Sequence, residues 1–363
     1  QRRGLSRRTL TSFGLGFAPN RWDALIQALG QQGYDKRDLL DAGLAVSNQD
    51  GRIYDRFRNR VMFPIIDIRG EVIGFGGRVM DDSTPKYLNS PDTPVYNKSR
   101  NVFALNIAKK SKAGRVILTE GYMDTISLHQ AGFDSAVASL GTALTPEHAQ
   151  LLSRYFPEAI IAYDGDGAGV SAAQRAIPLL ERAGMKVRVL RVTGAKDPDE
   201  FIKQFGRDAF LRLLDQSENQ VDYRLEQIRK KYDLSDDSQK VGFLQEAAQL
   251  LSSLPSAVER EIYGRHAAET AGVSPEAVAQ EVKKAFQRRL RKEQKQQERR
   301  DLTPAIQLQP KSRGLRYENI RSARAEEGVL RLLLLDPSLH RELTQLRPEE
   351  FSSPLLGKAY ALL

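Results

Sequence analysis

Between Arg115 and Val192 the chain alternates short runs rich in Val, Ile and Ala with amphipathic segments: "RVILT" then "YMDTISLHQAG", "SAVAS" then "TPEHAQLLSRY", "AIIAY" then "GVSAAQRAIPLLERAG", and finally "KVRVLRV". A run that is apolar along its length is covered on both faces, and strands separated by a crossover helix pair in parallel. The pattern therefore predicts an α/β unit, a mostly parallel sheet with helices on its faces. Before it, "RIYDRFRNRVMFPIIDIRGEVIGFGGRVM" (52–80) alternates apolar and polar residues about Arg69-Gly70, which predicts a β-hairpin followed by a turn at Gly76-Gly77. Helical patterns such as "RWDALIQALGQQG" precede the hairpin, and "STPKYLNSPDTPVYNKSRNVF" after it is too rich in Pro, Asn and Ser to form a regular element. Beyond Pro198 the pattern is helical to about Leu290.

In an open parallel sheet, ligands bind outside the carboxyl ends of the strands, so the residues delivered there define the chemistry. Here they are acidic. The first strand runs into Glu120 and, one helical turn later, Asp124; the third ends in "YDGDG" with Asp164 and Asp166; the fourth is followed by "KDPDE" with Asp197 and Asp199. Period-two spacing aims both members of such a pair at the same region. Singly, each has an ordinary explanation as a turn or helix-cap residue. Together, three acidic clusters at one edge repel each other unless cations intervene. Hard divalent ions with oxygen ligands answer that need, Mg²⁺ first because it bridges carboxylates to phosphates, with Mn²⁺ as the alternative.

Composition removes competing chemistries. With no cysteine, the 363-residue chain has no disulfide, thiol nucleophile or cysteine-held zinc, and its four histidines (His129, His148, His266, His340) lack ligand-like spacing. The "GDGAG" loop is not a full G-x-G-x-x-G, and its aspartate would face a pyrophosphate without a cation between them. No phosphate loop or nucleophile elbow occurs. No run approaches the roughly 18 apolar residues of a membrane span, and no secretion signal opens the chain, so a cytoplasmic protein without membrane contact is expected. The start at Gln1 and the end in "LLGKAYALL" lead us to expect a piece of a longer protein. Of the formal charge of +9, the stretch from Lys283 to Arg300 supplies +7, with nine Lys/Arg against two Glu. Such a run reads as a solvated helix or linker before a phosphate-binding arm.

The acidic set in "TEGYMD" and "YDGDGAG" with the later acidic pair resembles the Toprim fold, shared by bacterial primases, type IA and II topoisomerases and some nucleases. The segments "RFRNRVMFPIIDIRGEVIGFGGRV", "PKYLNSPDTPVYNKSRNVF" and "ASLGTALT" resemble the RNA polymerase core of bacterial replicative DNA primases, over about residues 1 to 290. The resemblance implies five regions: a mixed α+β subdomain (1–113), a Toprim metal-binding domain (114–197), a helical subdomain (198–290), a basic and polar linker (291–313) and the start of a helical helicase-interaction region (314–363).

It further implies that Glu120, Asp164 and Asp166 are catalytic and hold the metals, with Asp124, Asp197 and Asp199 completing the shell. Arg3, Arg78, Lys86, Tyr87, Asn89 and Lys98 would line the nucleotide and template groove. The implied partners are single-stranded DNA, ribonucleoside triphosphates, the RNA–DNA hybrid product and a replicative helicase docking after about residue 313. The zinc-ribbon module of such primases has no counterpart in a chain without cysteine, so zinc is not expected. Two rivals remain: a topoisomerase-like enzyme using one of the 12 tyrosines, and a nonenzymatic module binding single-stranded DNA or a helicase.

Overall fold

The computed structural model describes residues 4–307, 319–336, 338–339 and 346–363. Arg3 lies outside them. The chain divides into two compact units, residues 1–230 and 231–363.

The first unit opens with α1 (Arg7–Ser12), β1 (Gly16–Ala18), α2 (Ala24–Gly30), α3 (Lys36–Asp41) and a small antiparallel pair, β2 (Ala45–Ser47) with β3 (Ile53–Asp55). The expected hairpin follows as β4 (Arg60–Ile66) and β5 (Val72–Val79). Asp67 closes its turn by accepting the backbone N–H groups of Arg69, Gly70 and Glu71. The segment read as irregular contributes a third strand, β6 (Tyr87–Asn89), giving a sheet of order β1-β4-β5-β6. Three residues are too few to leave a periodic signature, and pairing with the glycine-rich strand β5 makes the strand. A single helical turn, α4 (Leu105–Ala108), leads into the second sheet.

That second sheet holds β7 (Arg115–Thr119), β8 (Ala136–Ala138), β9 (Glu158–Ile161) and β10 (Lys186–Val189), all parallel, in the order β10-β9-β7-β8. The crossovers are α5 (Tyr122–Gln130), α6 (Pro146–Ser153) and α7 (Gly167–Arg182). After β10 come α8 (Pro198–Asp215), the two-residue antiparallel edge strand β11 (Glu218–Asn219) and α9 (Gln220–Arg229). Helices α8 and α9 lie beyond the boundary expected at residue 198, yet they pack within the first unit. Phe201, Phe210 and Leu214 of α8 share a core with Ile117, Leu128 and Ile160, while Tyr223 of α9 joins the core on the other face beside Val187 and Val189. A third core joins the two sheets: Phe63 and Ile65 of β4 pack with Phe103, Tyr122 and Ile126.

The second unit comprises α10 (Asp237–Leu251), α11 (Ala257–Ala271), α12 (Pro275–Gln307), α13 (Ile320–Leu335) and α14 (Pro354–Tyr360). Helix α12 runs on through the first part of the segment expected as a linker, and from Gln287 to Gln296 every residue is exposed. That is the solvated-helix form of the basic run. No helix among the described residues is long and apolar enough to cross a membrane.

Phe210 is fully buried, with Phe133 edge-on at 5.0 Å between ring centroids. Phe210→Ala should therefore destabilise the first unit by about 3–5 kcal/mol, read as a lower urea midpoint. A change below about 0.5 kcal/mol would mean that α8 is not part of this core.

Candidate active site

The parallel strands end in the loops that carry the acidic residues. Glu120 directly follows β7 and is exposed; its Oε1 accepts the backbone N–H of Asp164 at 3.0 Å, tying the end of β7 to the loop after β9. Gly169 allows that closeness, because a Cβ there would lie 2.7 Å from Glu120 Oε1 and also collide with the Asp164 carbonyl. Asp166 is exposed and caps α7 by accepting Gly169 N–H at 2.8 Å, and Asp197 caps α8 through Glu200 N–H at 2.7 Å. Capping satisfies helix-end donors and uses one oxygen of each carboxylate, so the ordinary reading of these aspartates holds alongside any further part they play.

Asp124 sits in the first turn of α5 and accepts the backbone N–H of Asp199. Burial, then the charges of Asp197, Asp164 and Asp199, push its carboxyl up to about 7. Asp164 is pushed up to about 6, by burial first and then by Glu120, Asp197 and Asp166, against a smaller downward pull from Lys196. The charges felt by Asp124 and Asp164 are those of Glu120, Asp166, Asp197 and Asp199, so these carboxylates lie near one another at the strand ends despite their repulsion. Asp199 has a different part: it is 1% exposed, and its carboxylate accepts from the Ser127 hydroxyl and from Lys203 Nζ. With its oxygens committed to α5 and α8, it braces the shell from behind. Among the described residues no three His, Cys, Asp or Glu side chains converge as a ready-made metal cage. The donor set is nonetheless all hard carboxylate oxygen in a repulsive cluster, which suits a divalent cation.

Arg78 and Tyr87 lie on the antiparallel sheet, and Lys86 directly precedes β6. Arg78 on β5 pairs with Tyr87 on β6, and its guanidinium stands 5.7 Å from the Tyr87 ring centroid. Arg78 Nε is buried and has no hydrogen-bond partner among the described residues. Arg78 and exposed Lys86 border a cleft of about 670 Å³ whose apolar lining includes Leu15, Phe63 and Met123. Met123 adjoins Asp124, so one turn of α5 touches both cleft and acidic edge. Lys98 is anchored through its backbone, donating to Asp92 and accepting from His148 Nε2. The Asn89 side chain is turned inward, accepting from Tyr122 Oη at 2.8 Å and donating to the Leu140 carbonyl at 2.9 Å. Both ends of its carboxamide are thereby engaged within the protein.

Two features escaped the sequence reading. Lys196, exposed in the loop after β10, is a cation acting on Asp164. Trp22, 59% exposed, meets Tyr54 edge-on at 5.1 Å, and the Arg58 guanidinium lies 4.1 Å from the Trp22 ring centroid. Both rings line a second cleft, of about 730 Å³, with Arg21, Lys36 and Arg52. The interleaved "RW" and "RIYDRFR" carried that signal.

The parallel sheet with its acidic carboxyl edge, joined to a basic antiparallel sheet, defines a Toprim protein of the nucleic-acid enzymes. Family models match in chain order: "DNA primase catalytic core, N-terminal domain" over residues 1–109, "Toprim-like" over 117–202 and "DnaB-helicase binding domain of primase" over 221–276. A crystal structure of a DNA primase domain from Pseudomonas aeruginosa superposes with a TM-score of 0.66 at 40% identity, covering 77% of this chain and 89% of that one. A DnaG primase catalytic domain bound to ssDNA gives 0.66 at 37%, covering 76% and 88%. This chain belongs to the DNA primase family. It is 41% identical over 277 residues to the DNA primase of Clostridium acetobutylicum and 41% identical over 294 residues to that of Deinococcus radiodurans. Those matches cover 76% and 79% of this chain but 46% and 51% of the relatives, so the chain spans about half their length. The helicase-binding match falls on α9–α11, upstream of the region expected to dock a helicase.

The raised carboxyls set a pH dependence. An aspartate near 6 or 7 in the folded chain, against an ordinary value of about 3.8, holds a proton that the unfolded chain releases. Its contribution to stability is full below the unfolded value and is lost as pH rises through about 6 to 7. Without divalent ions the melting temperature should fall over that window. Added Mg²⁺ or Mn²⁺ should raise it more at about pH 8 than at about pH 5.5, and an equal rise at both would place the ions elsewhere.

Proposed function

We propose that this chain joins ribonucleoside triphosphates into short RNA primers on a single-stranded DNA template, as the RNA polymerase centre of a cytoplasmic bacterial primase. The observation that carries this reading is the α5 amino-terminal turn, where the acidic edge and the Arg78/Lys86 cleft meet at adjacent residues, Asp124 and Met123. Glu120, Asp164 and Asp166 are the catalytic carboxylates and would hold Mg²⁺, or Mn²⁺ in its place, with Asp124 and Asp197 beside them. A bound pair of such ions supplies charge neutralisation at the attacking 3′-oxygen and the transferring phosphoryl group.

The remaining work falls to the chain. Arg78 and Lys86 neutralise the triphosphate, the apolar lining of the cleft receives base and ribose, and Tyr87 offers a ring face beside the guanidinium. Lys196 stands at the edge where pyrophosphate would leave. Lys98, and Arg3 outside the described residues, extend the basic lining. Positioning and electrostatics suffice for phosphoryl transfer, and no protein nucleophile is needed. The template strand runs past Trp22 and Tyr54, which stack on bases while Arg21, Arg52 and Arg58 meet phosphates. The RNA–DNA hybrid leaves along the same groove. Helices α10 and α11 form the helicase-facing part, extended by the region after residue 313.

Asp164→Ala and Asp166→Ala should each lower primer synthesis from ribonucleotides on single-stranded DNA by at least about 10²-fold, with the folded state retained by circular dichroism. Wild-type activity in either variant would refute the assignment. Trp22→Ala should weaken single-strand binding by about tenfold, in line with roughly 1–3 kcal/mol per stacked base, with little change in its salt dependence. Arg58→Ala should instead flatten that salt slope. An unchanged affinity in Trp22→Ala would remove the stacking platform.

A further inference from the structure

The basic strands and the acidic edge belong to different sheets, and a nucleotide bound by both reacts only if their separation is right. A part-buried polar link spans them. Tyr122 lies between Glu120 and Asp124 at the start of α5, is 4% exposed, and donates its hydroxyl to Asn89 Oδ1 at 2.8 Å. Asn89 sits in β6, two residues after Tyr87 and opposite Gly76 of β5. Its amide continues the chain of bonds to the Leu140 carbonyl in the loop after β8, and its own carbonyl accepts from the Arg56 guanidinium. Three structural elements meet at one carboxamide.

The packing leaves little freedom around this link. The Tyr122 ring stacks on Phe63 at 5.0 Å and meets Phe103 edge-on at 4.7 Å. A Cβ on Gly76 would lie 2.6 Å from the Tyr122 hydroxyl, and one on Gly141, at φ +73°, would lie 2.6 Å from Asn89 Nδ2. Both glycines stand where a side chain would push the link out of place.

We infer that Tyr122 and Asn89 form a strut that fixes the Arg78 and Tyr87 strands in register with the Glu120/Asp164 edge, making both positioning residues for nucleotidyl transfer. The inference deepens the function proposed above and rests on it. The strut's hydrogen bonds go to Leu140 and Arg56 and, among the described residues, to none of the carboxylates. Its loss leaves both half-sites able to bind and misplaces one against the other, and misplacement by about an ångström costs up to about 10²-fold in rate.

The test uses Tyr122→Phe, which keeps the ring and removes the donor, with Asn89→Ala and the double variant. In Tyr122→Phe we expect kcat for primer synthesis to fall about tenfold, while KM for ribonucleotides and Mn²⁺ affinity, read by electron paramagnetic resonance, stay within about twofold. The double variant should be no slower than the worse single one, because both changes break one bond. A lowered melting temperature with unchanged kcat would overturn the inference, as would additive losses. Hydrogen exchange tests the link without any assay of activity: amides of residues 87–90 and 140–142 should exchange faster together in Tyr122→Phe. Faster exchange confined to α5 would dismiss the strut. Absence of primer synthesis in the unaltered chain would instead count against the proposed function.

Discussion

Carboxylates crowded at the end of a parallel sheet repel one another, and the rest of the first unit is arranged around that repulsion. Five acidic side chains share the edge, and burial with their mutual charge lifts Asp124 and Asp164 far above the ordinary carboxylate range. Ordinary bonds hold them there. Asp166 and Asp197 are tied down as helix caps, Glu120 is pinned by the Asp164 backbone, and Asp199 is neutralised by Lys203 and held by Ser127. Each tie uses one side of a carboxylate and leaves the group in place. A cluster assembled this way is electrostatically costly by itself.

The antiparallel sheet supplies the opposite charge without cancelling the first. Arg78 on β5 and Lys86 just before β6 border a cleft lined by apolar side chains, and among the described residues neither is ion-paired with the acidic edge. Arg78 Nε is left without a hydrogen-bond partner among the described residues. Buried donors in that condition are costly. An anionic ligand in the cleft would satisfy that donor. The shared core of Phe63, Phe103 and Tyr122, with the Tyr122–Asn89 bond inside it, keeps the halves close and separate.

Legibility in the sequence followed the range of the interaction. The parallel strands, their crossover helices and the β4–β5 hairpin were readable because burial on both faces, or alternation about a turn, writes itself into neighbouring residues. The acidic edge was readable because strand ends are local and their side chains are chemically distinctive. Strands β6 and β11 were not readable, having three and two residues and owing their form to partners in sheets built elsewhere. The unit boundary near residue 230 was hidden for a similar reason, since α8 looks like any amphipathic helix until Phe210 meets Phe133.

The chain by itself determined the α/β architecture, the absence of thiol and disulfide chemistry, and which residues could carry negative charge to one edge, because these depend on composition and on spacing within a few residues. Tertiary structure alone decided what each polar group does. It turned Asn89 inward as a tie between sheets, set Asp199 behind the acidic edge, and drew Trp22, Tyr54 and Arg58 together from separate segments of sequence. A side chain's partner is fixed by distance in space, and distances between remote segments depend on how the two sheets pack.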